Sequence, residues 1–188
     1  NLEVLGDLVY VLSLVGETNR ARIIASELET ITKTEADGAG GITSGARYAQ
    51  VKSWASVYET SKALEYINQF TDSKDQLKAL WEAASAQANC AHQVNDELLA
   101  VANTLIGQLD EDPLLAQYAE VLAISGYIEE SWKIFDKEPS QKEKAWILRN
   151  YTLFLFSQKD PKAEIYCKRS VEIAESVSDP ISRRSEEH

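Results

Sequence analysis

The feature that most constrains this chain is a helix signature that returns along its length. It is plainest at Gly16-Glu-Thr-Asn-Arg-Ala21-Arg-Ile-Ile-Ala25-Ser-Glu-Leu28. A glycine closes one helix, a short polar step follows, and Ala21, Ile24, Ala25, Leu28 and Ile31 fall on one face at helical spacing. Small alanines on that face let a neighbouring helix approach closely. Equivalent positions are Ala21, Ala63, Leu98, Ser131 and Ala163, separated by 42, 35, 33 and 32 residues. A period near ~34 residues is the mark of stacked two-helix units. The first interval is the longest, and a polar stretch with four of the eight glycines, residues 32–45, lies inside it.

Composition agrees with an all-α chain. Eight Gly and four Pro in 188 residues are few for a loop-rich or all-β protein, and nothing divides the chain into compositional halves. The sequence therefore predicts a single α-solenoid over 1–178, built from about five antiparallel helix pairs. It also predicts a flexible Gly-rich loop at 32–45 and a disordered tail at 179–188. Helix starts are expected at the capping boxes Ser73-Lys-Asp-Gln76 and Ser140-Gln-Lys-Glu143, and at Asp112-Pro113 and Asp160-Pro161. The first residues, Asn-Leu-Glu-Val-Leu, already read as helix without a signal peptide, as expected of a piece of something larger.

The segment Ala163-Glu-Ile-Tyr-Cys-Lys-Arg-Ser-Val-Glu-Ile-Ala174 resembles the second helix of a tetratricopeptide repeat, with its small–aromatic–small face. Gly16 and Gly126 stand where that family often has a turn glycine, and the resemblance extends over roughly 2–178. It implies an α-α superhelix whose first helices line a concave groove. The matching positions include Tyr10, Ser13, Tyr48, Lys52, Gln87, Glu120, Ala123, Thr152 and Phe156, of which Tyr10, Tyr48, Lys52, Gln87, Glu120, Thr152 and Phe156 are the candidate partner-binding residues. The Lys/Asn set with which some members clamp a C-terminal carboxylate has no counterpart beyond Lys52, so an extended or helical peptide is the implied occupant.

Charge narrows the function. The formal net charge is −11, and from Lys78 to Lys133 there is no intervening Lys or Arg while nine acids accumulate. Asp96, Glu97, Asp110, Glu111 and Glu120 form the candidate acidic patch. A base-poor chain of this kind is a poor match to phosphate backbones, which excludes nucleic acid as the expected partner. A Lys/Arg-rich protein segment fits better, steered by long-range attraction. A solvated acidic surface that merely aids solubility is the competing reading.

Nothing in the sequence points to turnover. His92 reads as a hairpin-turn residue and His188 as tail, and no nucleophile, metal-binding or cofactor motif is present, so no enzyme activity, metal or cofactor is expected. The glycines of 40–45 lack the Lys-Ser/Thr pair of a phosphate loop, Ala46-Arg47 standing in its place. Cys90 and Cys167 read as reduced core fillers. No apolar run reaches the ~20 residues of a membrane span, and a cytoplasmic setting is favoured. The expected role is a protein–protein interaction scaffold. The alternatives are a structural subunit of a larger assembly and a regulatory domain of a larger enzyme or transcription regulator.

Overall fold

The structure is a computed structural model that describes residues 2–39, 41–106, 112–134 and 140–182. It is all-α. The described residues form α1 (Leu2–Leu14), α2 (Thr18–Ala39), α3 (Ser44–Ser56), α4 (Thr60–Ile67), α5 (Ser73–Ala91), α6 (Asp96–Ile106), α7 (Asp112–Ile124), α8 (Ile128–Lys133), α9 (Gln141–Ser157) and α10 (Lys162–Ser182), with no strand among them.

Four of the helix-to-helix turns are built alike. After α1, α3, α7 and α9 the chain enters the left-handed region at Gly16 (φ 84°), Tyr58 (φ 62°), Gly126 (φ 94°) and Lys159 (φ 55°). The next residue's N–H then reaches back to a carbonyl one turn inside the helix. Glu17 donates to Leu12, Glu59 to Trp54, Tyr127 to Leu122 and Asp160 to Leu155, each at 2.9 Å. This closure satisfies carbonyls that a helix end leaves unpaired and turns the chain back on itself. The positions marked by the sequence period follow each such turn. Ala21, Ala63, Ser131 and Ala163 are buried, as is Leu98 after the α5–α6 connection, where His92 is left-handed.

The chain divides into two compact units, Asn1–Asp110 and Glu111–His188, where the sequence predicts one array over 1–178. In the first unit α1 packs on α2 and α3, α3 on α4 and α5, and α5 on α6. Gly6 permits the α1–α3 approach, since a Cβ there would stand 3.2 Å from that of Ala49. Two buried amides cross-link helices: Gln50 Nε2 donates to Thr32 Oγ1 and Gln87 Nε2 to Thr60 Oγ1, both at 2.8 Å. Glu29 on α2 accepts from Lys33 at 2.7 Å and from Lys62 on α4 at 3.0 Å. The Lys62 ammonium also sits 3.8 Å from the centre of the buried Trp54 ring.

In the second unit α7 packs on α8 and α9, and α9 on α10. Ala119, Ala123 and Ile147 form its core cluster, with Ile128, Trp132, Ile134 and Tyr151 against it. Ser131 Oγ donates to the Ala119 carbonyl at 2.8 Å, and Ser170 Oγ to that of Ala145 at 3.0 Å.

Several local expectations need correction. Residues 32–39 continue α2, and α3 starts at Ser44 behind an N-cap at Thr43, so most of the expected 32–45 loop is helix. Glu29–Lys33 pairing and the hydroxyls of Thr30 and Thr34, which donate to carbonyls four residues back, accompany that extension. The α2 core face passes through buried Thr32, leaving Ile31 exposed. The cap of α5 is Asp72, one residue ahead of Ser73, accepting from the N–H groups of Lys74 and Asp75. α10 carries helical backbone through Ser182, into the segment predicted as tail; 183–188 lie outside the described residues. The Ser140–Glu143 capping box forms as expected.

Candidate binding cleft

Helical periodicity places Glu3 and Asp7 on one face of α1, Tyr48 and Lys52 on one face of α3, and Lys78 and Glu82 on one face of α5. Because these three helices pack in sequence, the three one-turn pairs border a single open cleft of about 290 Å³ with Gly6, Gly45 and Ala49 at its floor. Gly6 and Ala49 are buried small residues, so the floor is a place where backbones come close and side chains are short.

The polar groups of the cleft are mutually engaged. Lys52 Nζ donates to Asp7 Oδ1 at 2.7 Å and lies 4.7 Å from the Tyr10 ring centre. The Lys78 ammonium lies 4.9 Å from the Tyr48 ring centre. The Tyr48 hydroxyl donates to Asp75 Oδ1 at 3.0 Å, and its ring packs on Phe70 with centroids 4.7 Å apart. Burial, together with that bond and the carboxylate charge of Asp75, holds the Tyr48 phenol far above its ordinary pKa. Tyr10 is also raised, chiefly by burial, and its hydroxyl accepts from Asn89 Nδ2 at 3.2 Å. Both tyrosines are therefore neutral polar rings beside a cation. With Glu3, Asp7 and Glu82 against Lys52 and Lys78, acids outnumber bases at the cleft.

The structure thus brings Tyr10, Tyr48 and Lys52 together. It removes Gln87 and Thr152 from the partner-binding set. Gln87 is fully buried, bonded to Thr60 and accepting from the Asn95 N–H at 2.8 Å, and buried Thr152 donates to the Leu148 carbonyl at 2.7 Å. Glu120, in the second unit, is half-buried; burial raises its carboxyl above the ordinary value while Asn150 Nδ2 donates to it at 3.1 Å. Its engagement with Asn150 separates it from the fully exposed acids. Phe156 is exposed on α9. Asp96 and Glu97 are exposed in the first turn of α6, where acids suit the helix dipole and Asn95 Oδ1 caps the Glu97 N–H at 2.8 Å. Asp110 and Glu111 lie outside the described residues.

Sequence reading missed Glu3, Asp7, Lys78 and Glu82. The signal was present as charged or aromatic pairs one helical turn apart on α1, α3 and α5. Cys90 and Cys167 are free thiols, half-buried, and burial pushes the Cys90 thiol up to about 11, an inert form at neutral pH. Among the described residues no three His, Cys, Asp or Glu side chains are grouped to hold a metal ion, and no helix is long and apolar enough to cross a membrane. No family model, curated protein or solved structure matches the chain.

Proposed function

We propose that this chain is a tetratricopeptide-like helical-repeat scaffold that binds a protein or peptide segment along its α1–α3–α5 face. The observation that carries this reading is the cleft itself: three neighbouring first helices line it with Tyr48, two lysines, three carboxylates and three small residues, and Tyr10 lies beside it against Lys52. The recurrent left-handed turns and the buried small residue after each support the superhelical arrangement implied by the sequence period. Such a face holds a polar segment by side-chain contacts without chemistry. Both cleft lysines already lie against tyrosine rings, and the excess of acid selects a segment carrying Lys or Arg.

The test uses the whole chain and an array of peptides that contain Lys or Arg, each beside a copy in which those residues are Glu. Binding is expected to favour the basic members and to weaken as salt rises. Glu82→Lys should reduce it about tenfold, which corresponds to ~1.4 kcal/mol. Glu172→Lys, on α10, should leave it unchanged. Equal binding by unmodified protein and Glu82→Lys, or no preference for the basic peptides, would overturn the proposal.

A further inference from the structure

The two lysines of the cleft are held unequally. Lys52 has both a carboxylate and a ring: its ammonium donates to Asp7 at 2.7 Å and lies 4.7 Å from the Tyr10 ring centre. Lys78 has only a ring. Its ammonium lies 4.9 Å from the Tyr48 ring centre, its side chain is exposed, and it makes no ion pair among the described residues. Glu82 stands one turn further along α5, but lysine ahead of glutamate is the weaker order for such a pair, and no ion pair forms between them.

The ring that Lys78 covers sits among acids. Burial first, then the bond to Asp75 and the charges of Asp75, Glu82 and Asp72, raise the Tyr48 phenol, so three carboxylates act on one side chain. Phe70 packs on the ring with centroids 4.7 Å apart, and Arg47 lies beyond it, its guanidinium carbon 5.7 Å from the Phe70 centre. Lys78 is thus the cation in contact with Tyr48. Of the cleft carboxylates, Asp7 is engaged by Lys52 and Glu3 has an interaction of its own, which leaves Glu82 without an ion pair among the described residues.

We infer, on the binding role proposed for this cleft, that Lys78 is a built-in competitor: it occupies the place over Tyr48 that an arginine of the partner segment takes, and it swings out to solvent when that arginine binds. No ion pair holds Lys78, and its long flexible stem lets the ammonium leave for water. A partner lysine would replace one ammonium on the ring by another. A guanidinium lies flat on a tyrosine ring and keeps its edge N–H groups for a carboxylate, which Glu82 supplies, so arginine is the stronger occupant. Because the free chain spends part of its time closed by Lys78, its affinity for any basic segment is lowered by the open fraction, whichever cation the segment carries.

The experiment is calorimetric titration of the whole chain with the basic peptides of the array, each made once with Arg and once with Lys at every basic position. The unmodified chain should bind the Arg form about fivefold more tightly. Lys78→Ala should tighten both forms about threefold and leave their ratio unchanged. Lys78→Arg keeps the charge but tethers the better occupant, and should weaken both forms about twofold. In nuclear magnetic resonance spectra the Lys78 ε-methylene protons should lie upfield in the free chain, shifted by the Tyr48 ring, and return to their ordinary position as the Arg peptide is added. Lys78 is exposed, and circular dichroism verifies that both variants fold. If Lys78→Arg bound like the unmodified chain, only charge would matter and the inference would be overturned. Weaker binding by Lys78→Ala would overturn it too, by showing that Lys78 grips an acid of the partner. Equal affinity for the Arg and Lys forms, or Lys78 protons that stay upfield in the complex, would do the same while leaving the cleft a binding site. Failure of every basic peptide to bind would instead overturn the binding role itself, and this inference with it.

Discussion

The turn after α1 and the turn after α7 have the same backbone and different surroundings. Gly16 and Gly126 both stand at positive φ, and both are followed by the same 2.9 Å closure. A Cβ at Gly16 would meet nothing within 4 Å, whereas at Gly126 it would fall 2.5 Å from Cζ of the Phe154 ring on α9. Gly16 is thus required for conformation alone. Gly126 serves conformation and the packing of α9 against the α7–α8 turn. The remaining two turns sharpen the contrast, because Tyr58 and Lys159 adopt the same conformation with a side chain attached. The motif tolerates a Cβ where space is open.

Substitutions at these turns separate the two roles. Gly126→Ala should cost about 2–4 kcal/mol, combining ~1–2 kcal/mol of left-handed strain with overpacking against Phe154. The ring is held by stacking on Tyr151 at 5.9 Å, so it cannot swing away without disturbing that pair. Gly16→Ala should cost only about 1 kcal/mol. Urea titrations of both variants, compared at equal slope, measure the difference; equal losses would mean that Phe154 yields freely. Lys159→Gly should act in the opposite direction. Removing the exposed side chain relieves strain, offset in part by the greater freedom of glycine in the unfolded chain, for a gain of about 0.5 kcal/mol. A loss of stability in Lys159→Gly would show that the lysine side chain supports the turn.

The same contrast explains what could be read in advance. The burial of Ala21, Ala63, Leu98, Ser131 and Ala163 was legible because a repeated apolar face leaves a periodic trace. Two of the four closures were legible because they use glycine, while Tyr58 and Lys159 give no compositional sign of positive φ. Gln87 and Thr152 elude a sequence reading because a polar residue on a first helix looks the same whether its partner is solvent, a buried hydroxyl as for Gln87, or its own helix's carbonyl as for Thr152. The cleft was partly legible: Tyr48 and Lys52, and Tyr10 beside them, emerged from position within the repeat. Glu3, Asp7, Lys78 and Glu82 depend on how three helices are set side by side, which no single helix records. Residues 32–39 misled because glycines at 38, 40 and 41 outweighed the helix-compatible Thr, Lys and Glu before them.

A last and smaller comparison sets one half-buried carboxylate in each unit against the other. Burial alone would raise both. At Glu29 the bonds from Lys33 and Lys62 overcome it and hold the carboxyl below its ordinary value of 4.5. At Glu120 an amide and the more distant Arg149 do not, and the carboxyl stays above 4.5. The signs of their linkage to folding are therefore opposite. Glu29 stabilises the folded chain above pH ~4.5, and that contribution is lost as pH falls through its lowered folded value. Glu120 is a liability at neutral pH, and the folded chain gains as pH falls through its raised value towards ~4.5. Thermal melts of Glu120→Gln should exceed the unmodified protein at pH 7 and converge with it as the pH drops towards 4.5. Melts of Glu29→Gln should lie below the unmodified protein at pH 7, and the gap should close only at lower pH, after that of Glu120→Gln has closed. If Glu29→Gln instead melted above the unmodified protein at pH 7, the bonds from Lys33 and Lys62 would be too weak to offset burial, and burial alone would govern both sites.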